Sequence, residues 1–197
     1  MSVKKWKYIS MARTVTASNS VLLFFTCAVL ATAQVPRPSP DFVINTLSGV
    51  PLGVTQYRGK VVIIEFLLTY CSHCQHTTEI LKKLQGEYGS QGLQVLGSAV
   101  EEMSPMNLGT FVGRFKPGFP VGYNSLRKVA EYMQQNPTSR MEMPQLVFID
   151  RTGVIRAQYA GSASLFGTNQ EENIRRQIDM LLQRASASNP RVSTAHH

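Results

Sequence analysis

Residues 61–74 read VVIIEFLLTYCSHC. The segment opens after Gly59-Lys60 with a β-branched, apolar run, Val61–Leu68, and closes on two cysteines, Cys71 and Cys74. A short apolar run bounded by turn residues predicts a strand buried on both faces. From Ser72 to Tyr88 the apolar period changes to that of a helix, with Ile80, Leu81 and Leu84 on one side and Gly89 or Gly92 as the stop. The cysteine pair therefore falls at a strand-to-helix turn. There the first-turn N–H groups and the helix dipole stabilise a thiolate on Cys71. Cys74 lies one turn further along, close enough to close a disulfide with it. In disulfide exchange Cys71 attacks a substrate sulfur, and Cys74 then attacks Cys71 and releases the substrate.

Two residues inside this segment qualify the chemistry. Glu65 interrupts the apolar run six residues before Cys71, and alternation along a strand turns its neighbours Ile64 and Phe66 to the opposite face. A buried acid is costly without a role or a partner. The favoured reading is a proton acceptor for Cys74 with a raised pKa; the other is an ion pair with a nearby lysine. His73 stands between the cysteines. Protonated, it adds positive charge beside Cys71 and makes the pair more oxidising; turned to solvent, it does little. His76 adds to a local Cys/His cluster, for which a metal is conceivable. The only other histidines, His196 and His197, lie at the tail, and His76 is read as incidental.

Working outward, Leu93–Val100 is a second buried strand and Ser104-Pro105 starts a helix running to about Phe115. Lys116–Gly122 is Gly/Pro-rich and is expected to be irregular. A short helix follows from Asn124 to Gln135. Gln145–Asp150 and Val154–Ala160 are strands joined by a tight turn at Arg151-Thr152-Gly153, and Asn169–Arg184 is an amphipathic helix. On the other side, Phe42–Gly59 resembles a hairpin of short strands, and residues 34–41 (QVPRPSPD) an extended, mobile linker. The expected architecture is an α/β domain over residues 42–185, with a mixed central β-sheet flanked by helices, an N-terminal β-hairpin extension and a disordered tail at 186–197.

The remaining N-terminal sequence is of another kind. Lys4, Lys5, Lys7 and Arg13 precede an apolar stretch, Val21–Ala33, with no acidic residue among them. That stretch is shorter than the roughly 20 residues a spanning helix needs. Ala31 and Ala33 fit a cleavage site after Ala33. Residues 1–33 are therefore read as a secretory signal; an uncleaved anchor is the alternative, and lipidation at Cys27 is disfavoured by Thr26. These four cations supply part of the formal charge of +8. No basic stripe with interleaved aromatics remains, so nucleic-acid binding is not expected. Cleavage also removes Cys27, leaving one pair whose small loop makes a poor structural staple; in an exported protein redox exchange is its better use.

Taken together, PDFVINTLSG, YRGKVVIIEF, Cys71-Ser72-His73-Cys74, GLQVLGSAV and MPQLVFIDRTGVI resemble the thioredoxin superfamily, and most closely its exported TlpA/ResA-type, AhpC/TSA-related branch. The resemblance covers roughly Pro40 to Leu182. It implies a thioredoxin-like fold, Cys71 as attacking and Cys74 as resolving cysteine of a redox-active disulfide, and Pro144 as a cis-proline that lies against it. It also implies Met143 and Pro144 at the substrate, Glu65 in the place of the buried aspartate, and no cofactor. Tyr70 stands where most relatives have tryptophan, and neither Ser72 nor His73 is proline. Glu79 replaces the helix-kinking proline, and Met143 a valine or threonine. The implied partners are exported thiol- or disulfide-containing proteins, apocytochrome c among them, and a DsbD/CcdA-type membrane protein, with a periplasmic location. The branch leans toward reductant and His73 toward oxidant. Two other functions compete. A peroxiredoxin-like peroxidase needs threonine three residues before its cysteine, where Leu68 and Cys71 stand. A Sco-like copper module needs cysteines three residues apart and a distant histidine.

Overall fold

Seven consecutive buried residues make Val61–Leu67 the spine of the molecule. The computed structural model describes residues 35–187. Its elements are β1 (Arg37–Pro38), β2 (Val43–Ile44), β3 (Leu52–Gly53), β4 (Val61–Leu67), α1 (Ser72–Tyr88), β5 (Leu93–Ala99), α2 (Ser104–Phe115), β6 (Val121–Tyr123), α3 (Leu126–Met133), β7 (Gln145–Ile149), β8 (Val154–Tyr159) and α4 (Gln170–Ala187). The expected secretory signal, its cleavage site and Cys27 lie outside the described residues.

The main sheet runs β1-β8-β7-β4-β5-β6, and β2-β3 form a separate hairpin. β4, β5 and β6 are parallel, because α1 and α2 carry the chain back between them. β7 pairs antiparallel with β4, and β8 with β7. This is the mixed sheet flanked by helices that the sequence predicts.

Alternation along β4 divides the core. Val62, Ile64 and Phe66 pack with Phe42, Ile44, Val129, Tyr132 and Met133, from the hairpin and α3. Val61 and Ile63 face Leu81 and Leu84 of α1 and Ile174 and Ile178 of α4. Both faces of this central strand are covered in this way, so its run is apolar apart from Glu65 and not alternating.

Three expectations are corrected. Residues 34–41 are not a mobile linker throughout: β1 pairs with the β8 edge, Arg37 opposite Ile155 and Pro38 opposite Val154. The Arg37 guanidinium is buried and donates to the Tyr132 carbonyl and to Gln158 Oε1, both at 2.6 Å. Prolines are tolerated there because an edge strand leaves one side of its backbone unpaired. The stretch 116–122 is not wholly irregular, since Val121–Tyr123 forms β6. Tyr123 exchanges backbone hydrogen bonds with Asn45, which covers the sheet edge. Gly122 allows this approach: a Cβ there would overlap the Asn45 carbonyl oxygen. Finally, α4 continues through Ser186 and Ala187, residues expected in the tail; residues 188–197 lie outside the described residues.

Candidate active site

The turn from β4 into α1 places the cysteines. The Cys71 N–H donates to the Leu68 carbonyl at 3.1 Å, which closes the turn. Cys71 is the N-cap of α1, in extended conformation, and its Sγ accepts the Cys74 N–H at 3.4 Å. The first turn carries no acidic residue, and Cys71 sits at the positive end of the helix. Cys71 is half-buried and Cys74 fully buried; both are free thiols, and they approach to 3.1 Å. Cys74 packs among Leu67, Ala99, Leu108 and Phe111. Burial pushes its thiol well above the ordinary range; the neighbouring Cys71 and Glu65 add to this, and a backbone hydrogen bond from Leu68 opposes it.

Glu65 is wholly buried beneath α1. Its carboxyl accepts the Thr78 hydroxyl, one helical turn beyond Cys74, at 2.9 and 3.1 Å. Burial pushes its pKa up to about 8, with the Thr78 bond pulling the other way. No ion pair reaches Glu65 among the described residues, so the lysine pairing considered from the sequence does not form. The α1 lysines, Lys82 and Lys83, pair instead with Glu79 and Glu171.

Met143-Pro144 is a cis peptide bond immediately before β7. Pro144 is buried, and Met143 packs on the same cluster as Cys71 and Cys74. The structure thus brings Glu65, Cys71, Cys74, Met143 and Pro144 together. Tyr70 is 69 % exposed beside Cys71. Ser72, His73 and His76 are exposed, and His73 enters the site's hydrogen bonding through its carbonyl, which accepts the Thr77 hydroxyl at 2.9 Å. Its imidazole belongs to the solvent side of α1. Among the described residues no group of three or more His, Cys, Asp and Glu side chains converges.

Glu101 was not singled out in the sequence. Its carboxylate accepts the Thr69 N–H at 3.3 and 3.4 Å and also the Thr69 hydroxyl. Gln75 Nε2 holds the Thr69 carbonyl at 2.9 Å from the other side. Thr69 is thus pinned two residues before Cys71. The one signal was an acid directly after a buried strand, and nothing in its spacing pointed to Thr69.

Dithiol exchange requires one thiol that can be reached, with a second held back beside it. The β4–α1 junction provides that division, and on this sheet it defines the class of thioredoxin-like thiol–disulfide oxidoreductases. The chain belongs to the AhpC/TSA family, whose profile matches residues 35–158. It is 27% identical over 143 residues to the thiol-disulfide oxidoreductase ResA of Geobacillus thermodenitrificans, covering 73% of this chain and 75% of that protein. It is 26% identical over 130 residues to the thioredoxin-like protein YneN of Bacillus subtilis, covering 66% and 73%. These matches bear out the TlpA/ResA-like resemblance. A thiol:disulfide interchange protein DsbE from Chlorobium tepidum superimposes with a TM-score of 0.65 at 20% identity, over 77% of this chain and 99% of that one, which shows the shared fold.

Proposed function

We propose that this protein exchanges disulfides with thiol- or disulfide-containing proteins outside the cytoplasm, with Cys71 attacking and Cys74 resolving. The observation that carries this is the unequal setting of the two thiols. Cys71 caps α1 and is half-buried, whereas Cys74 is sealed in an apolar cluster above Glu65.

In the reducing direction, the Cys71 thiolate attacks a substrate disulfide, forms a mixed disulfide and expels one substrate thiolate, which takes a proton from solvent. Cys74 gives its proton to Glu65 in the fraction of molecules that hold it ionised, a minor one below about pH 8, and attacks Cys71 Sγ. The Cys71–Cys74 disulfide forms, the second substrate thiolate leaves, and two electrons have passed to the substrate. The opposite direction reverses each step. Glu65 suits the proton role because its raised pKa lies near neutrality, where a carboxyl both accepts and returns a proton. Pro144 and Met143 border the thiols and contact the substrate chain.

The proposed setting is the periplasm, in soluble or anchored form, with apocytochrome c as one substrate and a DsbD/CcdA-type protein as redox partner. The basic, then apolar, sequence of residues 1–33 supports export, and the relatives named thiol-disulfide oxidoreductase support thiol-containing protein substrates.

A glutathione-buffer titration of the Cys71–Cys74 pair, with an insulin-reduction assay on the same sample, tests the proposal. A potential near that of thioredoxin identifies a reductant, and one near that of DsbA an oxidant, a separation of roughly 150 mV. A pair that does not cycle at all would overturn the assignment.

A further inference from the structure

Tyr70 is a ridge between two grooves. On one side lies a groove of about 830 Å³ lined by Leu68, Met103, Leu126, Met141 and Met143. On the other lies a groove of about 450 Å³ lined by Thr110, Phe111, Arg114 and Phe115. Tyr70 and Asn107 line both. Cys71 is the chain neighbour of Tyr70, and Met143 packs on the same cluster as Cys71. The two grooves therefore meet at Tyr70 and Asn107, and Tyr70 is the chain neighbour of the reactive thiol.

The floor of this track comes from one helix. Met103 caps α2, and Asn107, Thr110 and Arg114 follow at spacings of four, three and four, which puts all four on one side of it. All four are exposed. From Met103 to Arg114 the helix rises about 16 Å, the length of about five residues of extended chain. The ends of the track differ in charge. Glu101 and Glu102 flank the methionine end. Arg114 stands at the other, stacked on Phe115 at 5.1 Å, with no carboxylate within 4.0 Å among the described residues.

We propose that the Met103–Asn107–Thr110–Arg114 side of α2 is a substrate-selecting track for an extended protein segment that places an apolar side chain in the methionine groove and an acidic one over Arg114. Methionine suits the apolar end because its flexible, polarisable side chain fits side chains of different shape. The acidic preference follows from the free guanidinium and from the repulsion an acid meets at Glu101 and Glu102. This rests on Cys71 being the exchanging thiol.

The test uses the Cys74→Ser protein and peptides with a single cysteine linked as a mixed disulfide to thionitrobenzoate. The Cys71 thiolate attacks the peptide sulfur, a Cys71–peptide disulfide forms, and coloured thionitrobenzoate leaves with the electron pair of the broken bond. Each peptide carries Leu on one side of its cysteine and Glu or Lys on the other, and both chain directions are made. In at least one direction the Glu peptide should react about two- to fivefold faster than the Lys peptide, the range of an exposed ion pair, with the ratio shrinking as salt rises. Arg114→Glu should invert the ratio, while Arg184→Glu, an equal charge change on α4, should leave it as in the parent. Replacing the peptide Leu by Ser should slow transfer about tenfold. A ratio near one in both directions, or equal changes from Arg114→Glu and Arg184→Glu, overturns the track. If no peptide reacts at all, the exchange reading itself fails.

Discussion

Replacing Glu65 by Gln should change how the stability of the reduced protein depends on pH. In the fold the Glu65 carboxyl keeps its proton up to about pH 8, because ionisation would put a charge among apolar side chains. In the unfolded chain it gives the proton up near its ordinary value of 4.5. Between those values the folded state binds one proton more, so stability falls as pH rises, by about 1.4 kcal/mol per unit. The stabilisation is full below pH 4.5 and lost by pH 8, about 5 kcal/mol in all and about 3 kcal/mol at pH 7. Cys74 does not blur the effect, because burial moves its titration upward, away from this window. Gln keeps the size of the side chain and a carbonyl for the Thr78 hydroxyl. Its amide adds a constant offset, but it carries no titrating proton. Guanidinium unfolding of parent and variant at pH 5, 6.5 and 8, with reductant present, gives the two curves. Their separation should change by about 4 kcal/mol across this range in favour of the variant at high pH. Parallel curves would show that Glu65 ionises normally, and with that its role as proton acceptor for Cys74 would fall.

Other predictions address the thiols and their supports. Cys74→Ala should still react with a disulfide substrate but stall as a Cys71 adduct, seen as a mass increase without reductant, whereas Cys71→Ala should form none. Glu101→Ala removes the acceptor of the Thr69 N–H and hydroxyl and should cost about 1.5–3 kcal/mol in denaturant unfolding; an unchanged midpoint would mean that Thr69 is held without it. Gly122→Ala puts a Cβ against the Asn45 carbonyl and should destabilise by about 1–3 kcal/mol, read by thermal melting. His73→Ala removes an exposed side chain, whose charge is worth at most about 1 kcal/mol, so the potential should move by no more than about 20 mV. A larger shift would place the imidazole in contact with Cys71.

Reading order along the chain was enough to find the strand Val61–Leu67, the helix behind it, the cysteine pair at their junction and the buried orientation of Glu65. These features are written in neighbouring residues. Apolar period reports burial, a change of period reports strand giving way to helix, and alternation assigns faces. The cis bond before Pro144 came from family likeness, because most X–Pro bonds are trans. Other features depend on partners far away in sequence. Arg37 docks on Tyr132 and Gln158, Tyr123 pairs with Asn45 at a sheet edge, and Glu101 holds Thr69. Each is a polar or two- to three-residue contact, too short to impose a period and meaningless without its partner. The same holds for His73 and Glu65. A histidine between two cysteines faces inward or outward according to how α1 lies on the sheet. An acid in a strand stays neutral or pairs according to whether a cation reaches it. The packing of α1 over β4 settles both: it seals Glu65 against water and leaves His73 in it.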